Sequence, residues 1–300
     1  MERARRIRRN KWLYLMILPG FLYFVLFKYI PMYGLVIAFQ DYKPYKGIFG
    51  SEWVGFAQFS RLFHDPWFWE ITRNTLVLFG LNIVFFFPVP IILALMLNEV
   101  RVQAFKRAIQ TAVYIPYFMS WVIVVAISFV MLTVDNGIIN NILTMTGHEK
   151  INFLLDVRWF RPLYILQNIW REAGWGTIIY LAAMAGTDPQ LYEAARMDGA
   201  GRFRQMWHVT LPSIRNVIVI MLLLRMGSVL EVGFEHVYLL LNPTNRHVGE
   251  IFDTFMYTQG LLQGQFSYTT AIGFFRSLVG LGLVVCANAI ARKFNEESLF

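Results

Sequence analysis

From Trp12 to about Phe39 the chain reads WLYLMILPGFLYFVLFKYIPMYGLVIAF, with Lys28 as its one charged residue. That stretch exceeds the ~20 apolar residues a bilayer requires, and within hydrocarbon only helices or closed barrels satisfy their own backbone groups. Five further stretches of this kind follow, at about 72–97, 108–133, 162–184, 213–233 and 268–292. The expected fold is therefore all-α and integral to the membrane, with six transmembrane helices. Pro19 and Pro31 are places where the first span can bend, and the run Phe85-Phe86-Phe87-Pro88-Val89-Pro90 predicts a kink in the second. Lys28 is expected to snorkel toward the outer interface. Span four is interrupted by Arg171-Glu172 and by Gly174 and Gly176. No internal repeat or low-complexity linker divides the chain. It is partitioned into a tail, first helix and external loop (1–71), a transmembrane core (72–292) and a C-terminal tail (293–300).

Composition narrows the class further. Hydrophobic residues make up 57% of the 300 and charged residues 15%, where a soluble domain carries about 25% charged. The mean hydropathy is +0.48. The formal charge of +8 would suit nucleic acid, but most basic residues sit beside the ends of apolar runs, so no nucleic-acid partner is expected. The single cysteine, Cys286, lies inside an apolar run; it excludes an internal disulfide and is expected to be buried. The five histidines are scattered without HExxH or CxxC, so no metal site is expected. The N-terminal MERARRIRRNK resembles the start of a signal peptide, but a cleaved one has an apolar core of ~7–15 residues ending at small residues. The longer first span reads as an uncleaved anchor.

Lys and Arg near span ends set the orientation. Fifteen lie in or at the edge of the N-terminal tail (Arg3, Arg5, Arg6, Arg8, Arg9, Lys11), the connection of spans two and three (Arg101, Lys106, Arg107), the connection of spans four and five (Arg196, Arg202, Arg204, Arg215) and the C-terminal tail (Arg292, Lys293). Seven lie in the longer loops of the other side: Lys43, Lys46, Arg61, Lys150, Arg158, Arg161 and Arg246. Both termini and the 185–212 loop are thereby expected to be cytoplasmic. The external loops, roughly 40–71, 134–161 and 234–267, carry aromatic residues such as Tyr45, Trp53, Trp67 and Trp159, which suit either interfacial anchoring or contact with sugar rings.

The cytoplasmic loop is the most polar long segment between two apolar ones: DPQLYEAARMDGAGRFRQMWHVTLP, Asp188 to Pro212. Asp188 is placed to cap a helix and Pro189 to open it. Asp198-Gly199 ends that helix, Gly199 and Gly201 allow positive φ or close backbone approach, and Phe203, Met206 and Trp207 recur at helical spacing. Such a helix and tight turn suit a cleft on another protein, or simply a solvated connection between spans.

Within this loop Glu193-Ala194-Ala195, then Gly199 after three residues, then Val209-Thr210-Leu211-Pro212 after nine more, resemble the EAA signature, E-A-A-x3-G-x9-I-x-L-P. That signature marks permease subunits of binding-protein-dependent ABC importers; the one departure is Val209 in place of isoleucine. The run from Trp170 to Pro212 is similar to carbohydrate-importer permeases, nearest their LplB-like subgroup. The resemblance implies a type I importer permease with a coupling helix formed around Tyr192, Glu193, Ala194, Ala195, Asp198, Gly199, Ala200, Phe203, Leu211 and Pro212. It also implies as partners a second, different permease, two cytoplasmic ATPase subunits and an extracellular solute-binding lipoprotein. The cargo class it implies is a sugar or oligosaccharide. ATP and Mg would belong to the ATPase, since this chain has no GxxxxGK[ST] loop and is expected to bind no cofactor and to be no enzyme.

Ionisable and amide groups inside spans cost free energy if they face lipid. Arg171, Arg225, Glu231 and Arg276, with Asn168, Trp170 and Trp175, are thus candidates for a substrate path in the bacterial plasma membrane. The other reading is structural: Arg225 or Arg276 pairs with Glu231, and Asn82, Gln167 and Asn288 bond between helices. Arg225 and Glu231 cannot pair along one helix face, being six residues apart at 100° each. Alternatives are a permease for a non-sugar solute, a membrane-embedded enzyme, which Glu172 and Glu231 would have to serve without evident companions, or a transporter working without an ATPase.

Overall fold

The structure is a computed structural model and describes residues 10–293. The arginines of the N-terminal tail, residues 294–300, and the side chains of Lys11, Arg292 and Lys293 lie outside the described residues. Among the described residues, three helices are long and apolar enough to cross a membrane: Trp12–Phe39, Pro66–Glu99 and Phe266–Cys286. Two bent pairs raise the number to five if each is one span. The remaining expected span is the 29-residue helix Val157–Ala185, which is long enough but carries Arg158, Arg161, Arg171 and Glu172.

Several expected boundaries need correction. Span three is not one rod: Gln103–Phe118 and Trp121–Leu132 meet at 102°. Pro116 opens a tight 3-10 turn over Ile115–Phe118, and Ser120 in extended conformation caps the next helix, its Oγ accepting from the Ile123 N–H at 3.4 Å. At the start of span five the chain bends by 58°, between Arg202–Ser213 and Arg215–Gly227. The span ends at Gly227, so Glu231 stands in irregular chain beyond it. In span two the predicted kink takes the form of a π turn over Asn82–Phe86, where the Phe87 N–H reaches Asn82 O at 2.9 Å, just ahead of Pro88. Span four is not interrupted: Gly174 and Gly176 allow close packing. A Cβ at 174 would stand 2.2 Å from the Val113 carbonyl oxygen, and one at 176 would stand 3.0 Å from Pro90. Cys286 is exposed in this chain, not buried. In the first span Pro19 sits inside a helix, which passes through a π turn (Val25–Tyr29) into a 3-10 stretch (Ile30–Phe39); its apolar window is unburied.

The chain forms two compact units. Among the described residues, the first comprises 10–65 and 256–275. Here a two-residue antiparallel pairing, Gln40 against Trp53 and Asp41 against Glu52, closes the loop after the first span. Phe39 is its apolar hub, stacked on Trp53 at 5.8 Å and touching Phe56, Phe59 and Phe274. Polar ties fix the short helix Ala57–His64: Tyr268 Oη donates to Asp65 Oδ2 at 2.6 Å, and Arg61 lies over the Tyr268 ring at 4.3 Å.

The second unit comprises, among the described residues, 66–255 and 276–293. Its axis is the Val157–Ala185 helix, begun by Asp156, whose carboxylate accepts from the Arg158 N–H at 3.0 Å. Two apolar clusters lie along this helix. One gathers Leu78, Val125, Phe160, Tyr164, Ile165, Val237, Leu240 and Ile251. The other gathers Ala94, Leu95, Tyr180, Met184 and Ile214. Polar side chains occupy the stretch of helix between them.

Candidate functional site

The loop between spans four and five folds into a helical hairpin. Asp188 Oδ1 accepts from the Gln190 N–H at 2.9 Å and Pro189 opens the helix Pro189–Met197. The helix closes with two reversed bonds: Ala200 N–H to Ala195 O at 2.9 Å and Gly199 N–H to Arg196 O at 3.0 Å. This Schellman closure needs a left-handed residue at its turn, and Gly199 supplies it with φ +72°. Gly201 departs from expectation. It is the cap of the next short helix, Arg202–Gln205, with φ −66°. The return limb continues as a π turn over Met206–Thr210 and reaches Leu211, which packs against the second apolar cluster. Tyr192 Oη and Thr210 Oγ1 are 3.0 Å apart and Thr187 Oγ1 and Ser213 Oγ 2.8 Å apart, so the two limbs are tied at two levels.

This hairpin exposes what a loop ordinarily hides. Leu191, Met197, Phe203 and Trp207 are all exposed, and the last two stack at 6.4 Å. Glu193, Ala194 and Asp198 are exposed beside them, while Tyr192, Ala195 and Ala200 are half-buried and Pro212 is exposed.

The intramembrane candidates separate into three places. Asn168, Arg225 and Glu231 line one pocket with Asn82, Tyr164 and Ser228. Its wall is a hydrogen-bonded ladder: Asn168 Nδ2 donates to Asn82 Oδ1 at 2.5 Å, Asn82 Nδ2 to Tyr164 Oη at 3.0 Å, and Tyr164 Oη to the Val232 carbonyl at 2.8 Å. Arg171 and Trp175 do not line it. They clamp the bend of span three. Arg171 is ion-paired with Glu172, donates Nε–H to the Met119 carbonyl at 2.8 Å, and lies 4.5 Å over Trp121. Trp175 stacks on Tyr117 at 4.7 Å. Trp170 is exposed. Arg276 joins two carboxylates, Asp253 and, at 3.3 Å, Glu231.

Arg225 is not midway along a straight span. It stands in the last turn of Arg215–Gly227, its guanidinium 5.0 Å over Phe86. Sequence reasoning missed Tyr164 and Ser228 because a lone Tyr or Ser in an apolar run carries no periodic signal. It also missed His236, stacked on Trp121 at 3.6 Å and hydrogen-bonded at 2.7 Å to Gln167, which in turn holds Ser128. Asn82 and Gln167 do bond between helices, as expected of amides in spans.

The profile of the family described as binding-protein-dependent transport system inner membrane component matches residues 86–296. The polygalacturonan/rhamnogalacturonan transport system permease protein YteP of Bacillus subtilis (strain 168) is 66% identical over 295 residues, 98% of this chain and 92% of YteP. Protein LplB of the same organism is 55% identical over 294 residues, again 98% of this chain and 92% of its relative. Among solved structures, a chain of a bacterial ABC transporter involved in the import of the acidic polysaccharide alginate superposes with a TM-score of 0.92 at 41% identity, covering 98% of this chain and 99% of that one. The fold is that of a type I ABC importer permease, a transport subunit and not an enzyme. With the profile spanning most of the chain and the likeness running nearly end to end, the chain belongs to the family of inner-membrane components of binding-protein-dependent transport systems.

Proposed function

We propose that this chain forms one half of the transmembrane path of an ATP-driven importer for oligosaccharides. Cargo is handed over by an extracellular binding protein. A second permease completes the path, and two cytoplasmic ATPase subunits drive it. The chain crosses the bacterial plasma membrane several times with both termini in the cytoplasm. The cargoes that the relatives' names state, polygalacturonan/rhamnogalacturonan, arabinooligosaccharides, lactose, sulfoquinovosyl glycerol and alginate, are all sugars or glycosides, which supports the sugar class over other solutes.

The observation that carries the reading is the hairpin Asp188–Pro212. It is rigidly capped at both ends, yet it leaves Leu191, Met197, Phe203 and Trp207 open to solvent. A helix held this firmly with its apolar side uncovered fits a groove of another protein. Glu193 and Asp198 stand beside that side, ready for donor groups in the groove. When the ATPase dimer closes on ATP, the hairpin moves with it, and Leu211, packed against the second apolar cluster, transmits the motion to the spans.

An enzymatic reading has little to use, because Glu172 is occupied by Arg171 and Glu231 by Arg276. The test is co-purification of the ATPase with the tagged permease pair. Phe203→Asp is expected to lower the recovered ATPase at least about tenfold, since a charge in an apolar groove meets no partner, while the second permease is retained. Undiminished ATPase recovery and ATP-driven uptake in this variant would refute the docking role.

A further inference from the structure

The pocket between the two apolar clusters is lined by an arginine, Arg225, that forms no ion pair among the described residues. Asn82 and Phe86 stand halfway along the Pro66–Glu99 rod, and Asn168 stands near the middle of Val157–Ala185. Arg225 touches this level because its own helix stops there. After Gly227 the backbone is irregular until Gly233, at φ +104°. Irregular backbone at such depth persists where it is buried in protein or lines a water-filled cavity.

The charges are unevenly distributed. Arg276 engages two acids, Asp253 and Glu231. Arg225 engages none: among the described residues its guanidinium makes no hydrogen bond and no ion pair, and it rests on the face of Phe86. Glu231 lines the same pocket but turns its carboxylate to Arg276. The amide ladder is bonded to itself, and the Ser228 hydroxyl donates to the Arg225 carbonyl at 3.1 Å. Among its polar atoms the wall thus offers a visitor the guanidinium N–H donors and positive charge of Arg225, a match for a planar carboxylate. The cavity is ≈ 50 Å³. At ~10–15 Å³ per water that admits one carboxylate with its water but no sugar ring, which must stay in the open path beside it.

We infer that Arg225 is a specificity-determining residue: at mid-membrane it reads the carboxylate of an acidic sugar unit in the passing oligosaccharide. This rests on the oligosaccharide-import reading above. The test uses the complete transporter held outward-facing with ATP and vanadate, and measures equilibrium binding of a uronate tetrasaccharide and of its methyl ester. The wild-type complex is expected to bind the acid at least about tenfold tighter than the ester. Arg225→Gln should abolish that preference while the subunits stay assembled, and Arg225→Lys should restore part of it. Equal binding of acid and ester by the wild type, or a preference surviving in Arg225→Gln, overturns the assignment. So does disassembly of the Arg225→Gln complex, which would make Arg225 an ion-pair partner of the second permease. A wild-type complex that binds neither sugar would instead remove the import reading itself.

Discussion

Gly199 and Gly201 look interchangeable as letters, and the backbone treats them differently. Gly199 sits at φ +72° and Gly201 at φ −66°, and neither has a neighbour within 4 Å of where a Cβ would stand. A side chain at 199 therefore meets strain from its own backbone, about 1–2 kcal/mol for an L-residue in the left-handed region and more when β-branched. Gly199→Val should lower the yield of ATPase-bound complex and of ATP-driven uptake several-fold, whereas Gly201→Val should leave both within about twofold. Equal effects of the two would show that the turn is not what the position is for. The sequence displayed the first requirement, through Asp198-Gly199 after a capped helix and through the family signature. It could not separate the second glycine, because φ depends on where the following helix begins. The same limit applied to Arg225. Six-residue spacing excluded Glu231 as its helical neighbour, but only the placement of Arg276 showed where that carboxylate goes.

At the scale of elements, apolar length was legible and straightness was not. Hydropathy counts residues, so 108–133 reads as one span although the chain turns by 102° at Met119–Ser120. The turn is held by groups distant in sequence. Arg171, from the central helix, satisfies the Met119 carbonyl and lies over Trp121. Gly174 and Gly176 show the converse: read singly they are helix breakers, yet in the fold they are the points where the central helix meets Val113 and Pro90. A Cβ at 174 would stand 2.2 Å from a backbone oxygen, which has no rotamer to escape into. Gly174→Ala is thus expected to force the Gln103–Tyr114 helix away from the central helix, at about 1–3 kcal/mol as overpacking. Thermal unfolding of the purified permease pair in detergent reads this out. A variant as heat-resistant as the wild type would show that the close approach is not required. Gly80→Ala, in the neighbouring rod with nothing within 4 Å, is the matched control.

For the whole molecule the deciding quantity is which side of the membrane each loop faces, since the proposed coupling role requires the hairpin to lie on the side of the ATPase. The bias of fifteen basic residues against seven, with the larger number beside both termini, between spans two and three, and in or just after the Asp188–Pro212 hairpin, argues that the hairpin is cytoplasmic. Six of those fifteen belong to the tail before Trp12, so the first span carries much of the signal. That span buries none of its apolar window in this chain and is free to insert in the direction its flanks dictate. Two exposed positions turn the argument into a measurement: Phe49, 93% exposed after the first span, and Met197, 89% exposed at the end of the hairpin helix. With the one native thiol removed as Cys286→Ala, Phe49→Cys should react with a membrane-impermeant maleimide on intact cells. Met197→Cys should react only in inverted vesicles, and more slowly when the ATPase is bound. Labelling of Met197→Cys from outside intact cells would place the hairpin out of reach of any ATP-driven subunit. The exposed apolar side of that hairpin would then need an extracellular partner.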